Sequence, residues 1–258
     1  MPTLAALLSY NGAPFHGFAR QEGLSTVQGE LEQALALLFR RSVETVCAGR
    51  TDAGVHALGQ VISFEVSEEE VADRNLASLA RSLTAMTDSA IQVRKVMVAP
   101  DGFSARFDAL WREYRYFIST ESTQPLVMAD FCWHIPGGLD IGAMNEAAQY
   151  LVGEHDFKSF CLSASAEGKS TVRRVESISV KNCELAGQTL ACIDIIGTAF
   201  LHSMVRTITG SLVAIGKGQR DAAWLVSVLQ ACDRKAAGQT APAQGLVFWK
   251  VEYPFAVE

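Results

Sequence analysis

The chain has 258 residues, of which 49% are hydrophobic and 19% charged, a balance that excludes a disordered chain and allows one large domain or two modest ones. Its formal net charge of −6 and pI near 5.4 argue mildly against nucleic-acid binding, although a basic cleft can sit on an acidic body. No apolar run reaches transmembrane length, and the start M-P-T-L-A-A-L-L-S-Y lacks the basic region of a signal peptide.

Thr3 to Tyr10 reads as a buried first strand that ends in the turn N-G-A-P. Ser25-Thr26-Val27-Gln28 fits a capping box, and Val27, Leu31, Ala34, Leu35 and Leu38 recur at helical spacing to about Arg40. Strands are expected at 43–48 and 60–66, with a polar, glycine-punctuated loop between them. Ser67–Glu70 then caps a helix carrying Leu76, Leu79, Ala80 and Leu83. Ile91 to Val98 is a strand. In the next strand, R-E-Y-R-Y-F-I, alternation puts Tyr114, Tyr116 and Ile118 on one face and Arg115 and Phe117 on the other. Asp140 caps a helix through Leu151. Ala164 to Ser170, small and polar, reads as a mobile loop, and strands follow near 174–181 and 189–196. A helix with Met204, Val205, Ile208, Leu212 and Ile215 on its apolar face spans roughly Leu201 to Ile215, and Asp221 caps a last helix through Cys232. Strands and helices mixed in this order, with hairpin-like neighbours, indicate an α+β fold.

Six cysteines occur without a C-x-x-C pair or a Cys/His cluster at zinc spacing. Several lie in apolar strand-like runs, so reduced, buried thiols in a cytoplasmic setting are expected.

The loop between the second and third strands carries the chemistry. Gly49-Arg50-Thr51-Asp52-Ala53-Gly54-Val55-His56 crowds two charges, a hydroxyl and an imidazole between glycines. Asp followed by Ala-Gly also suits an ordinary turn, and Arg50 with Asp52 an ordinary ion pair. The full string G-R-T-D-A-G-V-H, however, resembles the signature of the tRNA pseudouridine synthase A family. Further segments match its pattern: Tyr10, Gly12, Phe15, Gly17, Phe18, Arg20 and Gln21, with Asn11 in place of the usual Asp; F-x-A-R at Phe103, Ala105 and Arg106; Y-R-Y at Tyr114–Tyr116; M-V-R at Met204–Arg206; and A-P-A-Q-G-L near the end. Ser203 fills a position usually held by His, and His202, one place earlier, is given no role. The family's N-A-x-L-P segment is replaced by L-T-A-M-T-D-S-A.

The resemblance covers nearly the whole chain. It implies two pseudo-symmetric lobes, mainly antiparallel sheets flanked by helices, with the active cleft between them. The lobe 1–104 would carry the Asp loop, and 105–258 the Tyr strand and Arg helix. It implies an isomerase that turns uridine into pseudouridine at positions 38, 39 and 40 of the tRNA anticodon stem-loop. Asp52 is then the catalytic nucleophile, and whether it attacks C1′, attacks C6 or takes a sugar proton stays open. A nearby guanidinium favours an ionised carboxylate and fixes its direction, and by resemblance Arg206 is that partner. Tyr114 would stack on the uracil, Arg50 would meet the RNA where a nucleotide is flipped out, and His56 would brace the loop. No cofactor, metal, membrane or DNA is implied, and a homodimer is. Two other classes remain: an RNA-binding protein without catalysis, and a carboxylate glycosidase. The glycosidase usually needs a second carboxyl group, which does not accompany Asp52 in its loop.

Overall fold

The computed structural model describes residues 2–72, 74–162 and 167–257. The chain divides into two compact units, Met1–Arg112 with Phe248–Glu258, and Glu113–Val247. Part of the loop expected to be mobile, 164–166, lies outside the described residues.

In the first unit the strand β1 (Thr3–Tyr10) is buried along almost its whole length, as its unbroken apolar run requires when both faces are covered. The helix α1 (Val27–Phe39) turns Val27, Leu31, Ala34 and Leu35 inward. Its cap is Thr26, whose hydroxyl accepts from the Gly29 N–H at 3.2 Å, not the expected Ser25. Gln28 is diverted from the capping box, because its amide bonds Glu32 and the Thr45 carbonyl. A two-residue strand, β2 (Val46–Cys47), pairs with β3 (His56–Glu65). The single helix expected after Ser67 is two, α2 (Glu68–Ala72) and α3 (Leu76–Met86). Ser67 and Glu70 form a reciprocal capping box on the first. The Asn75 side chain accepts from the Ser78 N–H at 2.9 Å and so starts the second afresh. Strand β4 (Ile91–Val98) pairs antiparallel with β1, which pairs antiparallel with β3 on its other side, and α3 packs on β4.

Strand β5 (Trp111–Ser119) carries the chain into the second unit, where the short β6 (Trp133–His134) runs parallel to its end. The helix α4 (Ile141–Ala148), capped by Asp140, lies against β8 (Val172–Leu185). That strand runs antiparallel between β7 (Gly153–Asp156) and β9 (Gln188–Gly197), in the order β5-β9-β8-β7. Helix α5 (Met204–Gly216) is buried at every position but Arg206 and Ala214. Helix α6 (Ala222–Ala231) is capped by Asp221. The last strand, β10 (Leu246–Glu252), returns to the first unit and completes its order β4-β1-β3-β10. The fold is α+β, with mostly antiparallel sheet and flanking helices, as the sequence indicates.

All six cysteines are free thiols. Burial pushes every one of them above its ordinary value, Cys47 to about 11. No helix among the described residues is long and apolar enough to cross a membrane.

Candidate active site

The signature loop leaves β2, makes a turn closed by the Val55 N–H bonding the Asp52 carbonyl at 3.1 Å, and enters β3 at His56. Its hydrogen bonds within the first unit brace it from several sides. Gln60, fully buried on β3, donates to the Gly49 carbonyl at 2.7 Å and lies 3.4 Å from the Tyr10 hydroxyl. Tyr10 shares a 2.8 Å bond with the Thr51 hydroxyl. The Phe18 N–H donates to the Thr51 carbonyl at 3.0 Å. Thr51 is therefore held through its side chain by β1 and through its main chain by Phe18, and Asp52 follows directly.

The N-G turn after β1 braces the far end of the loop. The Gly12 N–H donates to His56 Nδ1 at 3.1 Å, which makes that nitrogen an acceptor and leaves the neutral ring its proton on Nε2. This is the bracing expected of His56. Gly12 has no substitute here, because a Cβ on it would collide with the Val55 carbonyl. Asn11 stands in for the usual Asp as a turn residue, with its side-chain oxygen accepting from the Ala13 N–H.

The near end of the loop is fixed by a residue that the sequence did not single out. Arg112 is buried. Its Nε and Nη2 both donate to the Ala48 carbonyl, at 3.1 and 3.0 Å, and Nη2 also reaches the Arg106 carbonyl at 2.6 Å. Its Nη1 donates to the Ala109 carbonyl at 3.3 Å. One guanidinium thus ties the start of the signature loop to the F-x-A-R segment. Glu32 of α1 adds a further brace just upstream, accepting from the Thr45 N–H and hydroxyl at 2.9 and 3.0 Å.

Of the expected site residues, Asp52 is half-buried and Arg50 exposed, both on this loop. Tyr114 and Arg206 belong to the second unit. Tyr114 is buried on β5, edge-on to Phe200 with ring centroids 5.1 Å apart. Arg206 lies in the first turn of α5, and its Nε donates to the Ala241 carbonyl at 2.8 Å while its own carbonyl accepts from the Ala241 N–H at 3.0 Å. Its charge is felt by Tyr116, two residues from Tyr114 on the same face of β5. Burial outweighs that charge and drives the Tyr116 phenol well above its ordinary value. The Tyr116 hydroxyl donates to the Pro242 carbonyl at 2.8 Å, and Gly245 lies so close to its ring that a Cβ would strike it. The A-P-A-Q-G-L segment therefore holds both Arg206 and Tyr116. Ser203, just before α5, takes a left-handed conformation with φ 59°, strain of the kind that gathers near functional groups.

A loop-borne aspartate held by main-chain and buried side-chain bonds, with exposed arginines on the same unit, suits carboxylate chemistry on an anionic substrate. The sequence profile described as tRNA pseudouridine synthase matches residues 6–108 and 147–254. The chain is 40% identical over 251 residues to a tRNA pseudouridine synthase A of Vibrio parahaemolyticus, covering 97% of this chain and 92% of the relative. It is 42% identical over 253 residues to one of Brevibacillus brevis, covering 98% and 100%. It is 39% identical over 255 residues to one of Aliivibrio fischeri, covering 99% and 94%. The chain belongs to the tRNA pseudouridine synthase family. It is an isomerase of that class.

Proposed function

We propose that this enzyme isomerises uridine to pseudouridine at positions 38, 39 and 40 in the anticodon stem-loop of tRNA, with Asp52 as nucleophile. The observation that carries the reading is the intact G-R-T-D-A-G-V-H string within a family match over most of the chain. The reaction breaks the N1–C1′ bond, turns the uracil and joins C5 to C1′. N1, freed of the sugar, gains a proton, C5 loses one to water, and nothing is oxidised or reduced. No redox group is needed, and the work falls to a carboxylate that meets the reacting nucleotide.

The paired target must leave its helix, and Arg50 fills the space of the flipped nucleotide. Tyr114 stacks on the uracil, a contact worth about 1–3 kcal/mol. Arg206, by the family resemblance, is the cation that pairs with the carboxylate and aims it. The working form is a cytoplasmic homodimer, in which RNA contacts from two chains add together and offset the acidic net charge.

The test is tritium release from tRNA labelled at uridine C5, comparing the wild type with Asp52→Asn. Release by the wild type and none by a folded variant is the expected result. Free uracil as product would mean a hydrolase. Binding of tRNA with no release by either protein would mean an RNA-binding protein, and both results would overturn the proposal.

A further inference from the structure

The F-x-A-R segment is used by the site only through the Arg106 carbonyl, yet its side chains have an unusual disposition. The turn Phe103–Asp108 is rigidly held. Phe103 is buried edge-on to Tyr253 and Phe255, each at 5.0 Å. The Ala105 N–H donates to the Ser63 hydroxyl at 3.0 Å, and the Ala105 carbonyl accepts from the Tyr253 hydroxyl at 2.7 Å. The Ser104 N–H donates to the Asp108 carboxylate at 2.7 Å. On this fixed turn Phe107 stands 78% exposed. The Arg106 guanidinium lies 5.3 Å from its ring centroid.

One cation accompanies the ring, and a second, Arg50, stands on the Asp52 loop. Among the described residues neither Arg50 nor Arg106 has a carboxylate within ion-pair distance, and both are exposed. Both lower the Cys47 thiol electrostatically, against the larger effect of its burial, so both charges lie within reach of Cys47. The same Nη2 atom of Arg112 holds the Ala48 and Arg106 carbonyls. The turn and the Asp52 loop are therefore positioned by one anchor.

We infer that Phe107 is a stacking platform for an unpaired base of the substrate RNA, with Arg106 contacting a neighbouring phosphate. An exposed ring on a mobile loop would lose entropy on stacking; this one is already fixed. Every base offers a π-face, so the contact binds without reading sequence. Uncompensated arginines on a chain of net charge −6 suit a polyanion, and they suit a second acidic copy of this chain less well. The inference rests on tRNA being the substrate.

The experiment measures Kd for a tRNA transcript, the steady-state constants, and the sedimentation mass of Phe107→Ala, Phe107→Leu, Phe107→Trp and Arg106→Gln. Loss of one base stack should raise Kd and KM about 5- to 100-fold in the Ala and Leu variants. Phe107→Trp should bind like the wild type, and kcat at saturating tRNA should hold within about twofold. Arg106→Gln should reduce the slope of log K against log salt by about one. Wild-type affinity in Phe107→Ala would overturn the inference, as would full affinity in Phe107→Leu, which keeps apolar area but not the ring. A change of mass in Phe107→Ala would assign the ring to an interface between copies and also overturn it. Failure of the wild type to make pseudouridine is a separate readout, and it would overturn the proposed reaction whatever the variants bind.

Discussion

Replacing Arg112 by alanine should both destabilise the first unit and slow the reaction. The guanidinium serves three carbonyls, those of Ala48, Arg106 and Ala109. Each buried acceptor left without a donor costs about 1–3 kcal/mol. Water entering the space vacated by the side chain would recover part of this, so the loss should be about 3–5 kcal/mol. Arg112→Lys offers a single ammonium where the arginine presents a planar fork, and it should restore less than half of the loss. Urea unfolding followed by tryptophan fluorescence would give the change in midpoint at constant slope. Release of Ala48 also frees the near end of the Asp52 loop. A displaced loop should lower kcat at least about tenfold, equivalent to ~1.4 kcal/mol in the barrier, for the molecules that remain folded. A stability loss below about 1 kcal/mol would refute the reasoning on anchoring. A large stability loss with an unchanged rate per folded molecule would refute the link between the anchor and the carboxylate.

Two further outcomes test other parts of the structure. The β8–β9 hairpin turns through Ala186 and Gly187, both at positive φ. This is the geometry of a type I′ turn, which favours Asn-Gly, so Ala186→Asn should stabilise the protein by about 0.5–1 kcal/mol, seen as a higher unfolding temperature. The Glu70 carboxyl is held down to about 2 by its bonds from Arg41 and from the Ser67 N–H. A depressed carboxyl contributes stability above its unfolded value, near 4.5, and loses it as pH falls from there through about 2. The pair lies at the surface, with Arg41 exposed and Glu70 half-buried, so the contribution is a fraction of a kcal/mol. An NMR titration of the Glu70 side chain should show the low midpoint, which Arg41→Gln should raise.

Much of the fold is legible in the chain because its strongest signals are local. Strands β1 and β4 have the bounds that their apolar runs mark, and Asp140 and Asp221 cap the helices that follow them. The departures arise where a side chain finds a distant partner. Gln28 leaves its capping box for Thr45, 17 residues on. Strand β8 extends to Leu185, past its apolar stretch, because pairing with β9 supports the polar Lys181, Asn182 and Glu184. The role of Arg112 is not legible in the chain for the same reason: its carbonyl partner at Ala48 lies 64 residues away. In R-E-Y-R-Y it looks like one more charge at the start of a strand. The candidacy of Asp52 rests on its eight-residue string, and no periodicity or composition picks it out from other Asp-Ala-Gly turns.

The state of the thiols has a practical consequence. All six native cysteines are raised above their ordinary ionisation range, and only the thiolate reacts quickly with an alkylating reagent. A single cysteine introduced at an exposed position would therefore be the most reactive in the molecule at neutral pH. Four of the native thiols are also buried and two half-buried, so a label can be directed to one introduced cysteine with the native ones left in place.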